Sequence, residues 1–223
     1  MNRRTYLRAV GTGAAVGLAG CLGGIGGNSN VSLSKPEREN DVTSEDLPYP
    51  AWGQQVPDVT LTDPIHETEV SVRDIDGPHF HTFFFTNCMT VCPVLISALR
   101  EAQIHSISEG YADDVSFYPI TFDPARDDAA AFKKEANDMN VDMDAGNWHF
   151  LRTADEAEAK DVVEDQFGVF FEKNEPDEDG NYMFTHLGLV MLVNGDGYVE
   201  RTYRGNQPDE QTLLDDLTAL REA

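Results

Sequence analysis

The chain has 223 residues, 40% of them hydrophobic and 9% aromatic, which suffices for a folded domain of ordinary size and argues against disorder. Forty acidic residues against 16 basic ones give a formal charge of −24, which excludes nucleic acid and anionic lipid headgroups as partners. The acids are spread along the chain, as on the solvated surfaces halophiles use, and form no single block.

The first 21 residues read as an export leader. Asn2-Arg3-Arg4-Thr5-Tyr6-Leu7-Arg8 matches a twin-arginine signal. Ala9 to Gly20 is an apolar, Gly/Ala-rich core, too short for a membrane span of about 20 residues but right for a signal peptide. It ends in Leu18-Ala19-Gly20-Cys21, a lipobox pattern, so Cys21 is expected to be lipidated and to become the new N-terminus. The expected location is the outer face of the cell membrane, held by that lipid anchor. Loss of the leader's three arginines takes the exported part to about −27. Only Cys88 and Cys92 then remain as thiols, and outside the cell a disulfide between them is permitted.

Residues 22–56 read as a flexible acidic linker. It opens on a glycine-rich run, shows no helical or strand period, and reaches Pro48, Pro50 and Trp52, where docking onto the domain begins. Residues 57–223 form the domain.

Val59–Thr62 and Glu69–Arg73 alternate at period two and predict an opening hairpin. Asp76-Gly77-Pro78 is a turn, and Phe80–Thr86 suits a central strand buried on both faces, with Phe83 to Phe85 in the core. A helix from Val94 to about Ile107 follows, with Leu95, Ala98, Leu99 and Ala102 on one stripe. Val115–Phe122 is the next strand, parallel to the first by a right-handed crossover. Asp123 as cap and Pro124 at the first position then start a helix to about Met139. Asn147–Leu151 reads as a short strand, Ala154–Phe167 as a helix turning Val162, Val163 and Phe167 inward, and Lys173–Asn181 as an acidic loop. Leu187–Val193 and Tyr198–Tyr203 flank the hairpin signal Asn194-Gly195-Asp196-Gly197. A final helix, Asp209 to about Arg221, presents Leu213, Leu214, Leu217 and Leu220. This order gives an α/β fold of thioredoxin-like type, a central mixed sheet flanked by helices with an N-terminal hairpin extension.

The chemistry lies in Thr86-Asn87-Cys88-Met89-Thr90-Val91-Cys92-Pro93, at the first strand-to-helix turn. Two thiols at i, i+4 can share one helical face, close a disulfide, act as a redox dithiol, or offer two thiolates to one soft ion. A helix start favours anions, so at least one thiol should ionise easily. In a thioredoxin-like fold the turn facing the dithiol precedes the strand of the C-terminal hairpin and carries a proline; here no proline lies between Pro176 and Pro208, and His186 stands at that place. Two thiolates and an imidazole suit Cu(I), and Cu(II) can be accommodated. Met89, between the thiols, packs or faces solvent, and His79, His81 and His149 read as structural.

Phe84 to Pro93 resembles the CxxxCP motif of the Sco/SenC family, in a haloarchaeal-type, acid-rich setting. Thr121-Phe122-Asp123-Pro124-Ala125-Arg126-Asp127 is similar to that family's DPxRD segment; Trp148–Leu151, Phe167-Gly168-Val169 and Thr185-His186 fit in order, the last 94 residues after Cys92. The family has Asp-His-Ser where this chain has Thr185-His186-Leu187. The resemblance implies a membrane-tethered metallochaperone with Cys88, Cys92 and His186 as copper ligands. Its implied partner is the copper-centre subunit of a respiratory terminal oxidase, and the expected state is a monomer. The competing expectation is an enzyme, a thiol–disulfide oxidoreductase that keeps the acceptor's cysteines reduced, with Cys88 attacking and Cys92 resolving.

Overall fold

The computed structural model describes residues 28–37, 41–205 and 207–223. The twin-arginine stretch and Cys21 lie outside them. The opening hairpin pairs β1 (Thr60–Asp63) with β2 (Thr68–Ser71). β3 (His79–Phe84) is buried at every position, as befits a central strand, with His79, His81 and Thr82 buried among its phenylalanines. It leads through the thiol loop into α1 (Val91–Ser108), whose stripe of Leu95, Ala98, Leu99 and Ala102 is buried. Each leucine so buried contributes roughly 2 kcal/mol, which fixes α1 on the sheet and its first turn beside the strand ends.

β4 (Ser116–Thr121) returns parallel to β3. The helix expected from Asp123 starts later: α2 spans Ala129–Met139, and Asp128 is its cap, its carboxylate accepting from the N–H groups of Ala130 and Ala131. Residues 123–127 form a turn closed by Arg126 and Asp127 N–H donating to the Asp123 carbonyl. The Asp123 carboxylate is taken by Arg126 and Tyr182, so it caps nothing. Asn147–Leu151 likewise forms no full strand. It runs along the outer edge of β4 through two parallel bridges, Phe117 to Trp148 and Ile120 to Leu151.

α3 (Glu156–Ala159) widens into a π-helical stretch, Lys160–Gln166, with Val162 and Val163 buried. A hairpin follows that flanks the expected acidic loop and to which the sequence assigns no strand, β5 (Phe171–Lys173) against β6 (Phe184–His186). β7 (Leu189–Val193) and β8 (Val199–Arg204) complete the main sheet in the order β4-β3-β7-β8, with β7 antiparallel to both neighbours. α4 (Glu210–Arg221) buries Leu213, Leu217 and Leu220. The mixed sheet with helices on it is the α/β arrangement the element order implied.

The described part of the acidic linker is packed, not free. Leu33, Tyr49, Ala51 and Val56 are buried. The N–H groups of Ser32 and Leu33 donate to the buried Glu200 carboxylate on β8, at 2.8 and 2.9 Å, and Trp52 Nε1 donates to the Leu33 carbonyl. Gly168 (φ +66°) is the tightest point of this docking. A Cβ there would stand 1.6 Å from the Pro48 carbonyl oxygen, so only glycine fits.

Candidate metal centre

β3 delivers the chain to the thiol loop, and Asp127 holds the loop's root. Its carboxylate accepts from the Thr86 N–H at 3.2 Å, from the Thr86 hydroxyl, and from the Thr121 hydroxyl at the end of β4. Burial lifts the Asp127 carboxyl to about 6; the bonds from Thr121 and Thr86 pull it down, and the Asp123 charge adds to the lift.

Cys92 is in the first turn of α1, and its N–H, one of the helix-start amides with no partner in the helix, donates to Cys88 Sγ at 3.4 Å. The Cys88 sulfur therefore sits where a helix favours an anion. A hydrogen bond from the Cys92 thiol is the largest influence and pulls Cys88 down. Burial opposes it, and contacts from His186 and from the Thr90 and Cys92 amides reinforce it, leaving Cys88 at about 3. Burial, then the neighbouring Cys88, pushes Cys92 far above the ordinary thiol value. The pair is a thiolate at Cys88 and a thiol at Cys92. Both are free and buried here, with no bond between the sulfurs.

β6 ends on His186, whose ring packs on Phe122 and Phe85. Its Nε2 lies 3.3 Å from Cys92 Sγ, and its Nδ1 lies 3.3 Å from the Leu187 carbonyl oxygen. The second contact suits the Nδ1–H tautomer, which leaves the Nε2 lone pair facing the sulfurs. A backbone carbonyl thus orients the ring here. The donor atoms of Cys88, Cys92 and His186 all lie within 4.8 Å of one another, close enough to close on one ion. A groove of about 510 Å³, lined by Thr90, Val91, Val94, Phe184, Thr185 and His186, opens beside them. Met89 is 83% exposed at the loop and points to solvent.

The β5–β6 hairpin that carries His186 is held by three residues given no such role in the sequence reading. Asp123, 1% exposed, pairs with Arg126 and accepts from the Tyr182 hydroxyl at 2.9 Å. Arg126 donates to the Tyr182 carbonyl at 2.9 Å and lays its guanidinium 3.6 Å from the Tyr182 ring centre. The signal was present: in Asp123-Pro124-Ala125-Arg126-Asp127 two acids and a base close a strand, as residues that grip neighbouring loops do. One acid holds the histidine hairpin and the other the thiol loop.

His79 and His81 are buried side by side on β3, edge to face at 5.0 Å, and burial holds both well below the ordinary histidine value, hence neutral. His149 lies elsewhere, against Asp63 and His66.

The family model described as SCO1/SenC matches residues 57–222. The SCO1 protein homolog of Bacillus subtilis is 30% identical over 135 residues, covering 60% of this chain and 64% of the relative. The chain spans about half to two thirds of the length of the curated relatives it first matches. Bradyrhizobium japonicum ScoI, solved with copper bound, is 25% identical, with a TM-score of 0.57 over 72% of this chain and 96% of that one. BsSco, described as a Sco-family cytochrome c oxidase assembly protein with a disulfide switch, is 22% identical, with a TM-score of 0.59 over 78% and 96% of the two chains, a likeness of fold. With three quarters of its length matched by one family model, the chain belongs to the SCO1/SenC family.

Proposed function

We propose that this chain is a copper metallochaperone, which takes up copper on Cys88, Cys92 and His186 and passes it to the copper-centre subunit of a respiratory terminal oxidase. The convergence of two sulfurs and an imidazole nitrogen within 4.8 Å carries the reading. Thiolate and imidazole are donors that copper prefers in either oxidation state. The copper-bound relative supports the cargo, and the assembly role printed for BsSco supports the destination. Transfer proceeds by ligand exchange: an acceptor thiolate replaces a sulfur of this site on the ion, and the released sulfur takes up a proton. Cys21 supplies the lipid anchor on the outer face of the membrane, and the domain works as a monomer. Addition of Cu(II) to the reduced protein tests the site. An intense sulfur-to-copper charge-transfer band at one equivalent is expected, and its absence rejects the ligand set.

The division of the two thiols into thiolate and thiol favours a second reading, a thiol–disulfide oxidoreductase. Cys88 attacks a substrate disulfide to give a mixed disulfide. Cys92 then displaces the substrate thiolate, which leaves reduced substrate and a Cys88–Cys92 disulfide. Disulfide reduction without copper that survives loss of His186 would favour this enzyme.

A further inference from the structure

Asp63, at the end of β1, is a fully buried carboxylate with no lysine or arginine partner among the described residues. Oδ1 accepts the N–H groups of Ile65 and His66, at 3.0 and 3.2 Å. Oδ2 meets two imidazoles, with His66 Nδ1 at 2.6 Å and His149 Nδ1 at 2.9 Å. Burial works to raise the Asp63 carboxyl, and the bonds from His149 and His66 outweigh it and hold the group below its ordinary value. The pocket thus holds a buried carboxylate that faces two imidazole nitrogens and no lysine or arginine among the described residues. Buried charges are paired or bind metals.

The ligand set is preorganised. Thr62 bridges Arg152 by two backbone hydrogen bonds, 3.1 and 2.9 Å, which fixes the hairpin against the strip that carries His149. Tyr118 stacks on the His149 ring at 5.0 Å and 13°. The three donor atoms lie within 4.8 Å of one another, and the two histidine side chains are 34% and 22% exposed, so an ion can enter. Around a tetrahedral ion with bonds of about 2.0–2.2 Å, donor atoms stand about 3.3 Å apart. The observed 2.6 and 2.9 Å reach that spacing with a movement of under about 1 Å.

We propose that Asp63, His66 and His149 form a second metal site, separate from the dithiol, that takes a borderline divalent ion such as Zn2+ or Cu2+ and leaves a fourth position open to water. Two imidazoles and a carboxylate suit such ions and do not suit Cu(I). Each imidazole would offer its Nδ1 lone pair to the ion and carry its proton on Nε2. The ion cross-links the N-terminal hairpin to a segment 86 residues later in the chain.

Cys88→Ser/Cys92→Ser protein, which lacks the sulfur site, is titrated with Zn2+ by calorimetry and melted with and without the ion. One equivalent bound and a higher Tm are expected. Adding His66→Gln, on the half-exposed hairpin turn, should weaken Zn2+ at least tenfold, while adding His186→Ala should not. Equal affinity with and without His66 overturns the proposal, as does a Tm indifferent to Zn2+. Should the His66 variant fail to fold, Cu2+ electron paramagnetic resonance on the double-serine protein decides: hyperfine splitting from two nitrogens supports the site, and its absence rejects it.

Discussion

His186 Nε2 stands 3.3 Å from Cys92 Sγ although 94 residues separate the two in sequence. The ring is half-buried at the end of a short strand, so its removal leaves a gap in the site and little else. His186→Ala is expected to fold and to bind Cu(II) at least ~100-fold more weakly, since even residues that merely orient a ligand cost 10–100-fold. Competition against a chelator of known affinity measures the loss. Affinity equal to the parent's would remove His186 from the ligand set.

The two thiols should differ sharply in reactivity. Cys88 ionises at about 3 and Cys92 far above neutrality. Iodoacetamide attacks thiolates. In the reduced, metal-free protein, alkylation of Cys88 should therefore hold a constant rate from about pH 5 to pH 8, with Cys92 unmodified, as peptide mass spectrometry would read. A rate that climbs tenfold per pH unit across that range would mean an ordinary thiol at Cys88.

The parts of the site legible in the sequence were those written locally. The apolar run into the thiols, the stripe on α1 and the i, i+4 spacing each need one segment to be read. His186 needed a fold as well, because it is the β5–β6 hairpin, packed ahead of β7, that aims it at the sulfurs. Asp123 misled because an Asp-Pro pair at a strand end carries the same local signal whether or not it caps a helix. Its partner Tyr182 is 59 residues away, and that contact decides. β5 escaped notice because Phe171–Lys173 is three residues long, two of them charged, and pairs across an acidic loop. The polarity of residues 28–37 hid their docking, since the group that Ser32 and Leu33 bind is a buried glutamate on β8.

Arg126 ties the Asp123 turn to the hairpin of His186. Arg126→Ala leaves the Asp123 carboxylate, 1% exposed, with only the Tyr182 hydroxyl. Breaking such a pair costs roughly 3 kcal/mol. It also frees the hairpin, so copper affinity should drop about tenfold as ring orientation is lost. Thermal melts and copper titration read the two effects. The alkylation rate of Cys88 should stay as in the parent, since Arg126 touches neither sulfur. Unchanged copper affinity in a destabilised variant would mean that the hairpin is held by other contacts.

Asp127 makes stability depend on pH in the direction opposite to most carboxylates. Its folded-state value, about 6, lies above the ordinary 3.8, so ionisation costs more in the fold than in the unfolded chain. The stability it contributes is full below about pH 4 and is lost as pH rises through about 6. A shift of about two units corresponds to at most ~3 kcal/mol. Asp127→Asn keeps an acceptor for Thr86 and removes the ionisation. Relative to the parent, the variant should gain roughly 2–3 kcal/mol between pH 4 and pH 7, measured by denaturant unfolding at each pH. Comparison with the parent cancels the acids that shift the other way, Asp63 among them. A difference that stays flat over that interval would mean that the loop root is gripped by a carboxylate already ionised at pH 4, with its three hydrogen bonds outweighing burial.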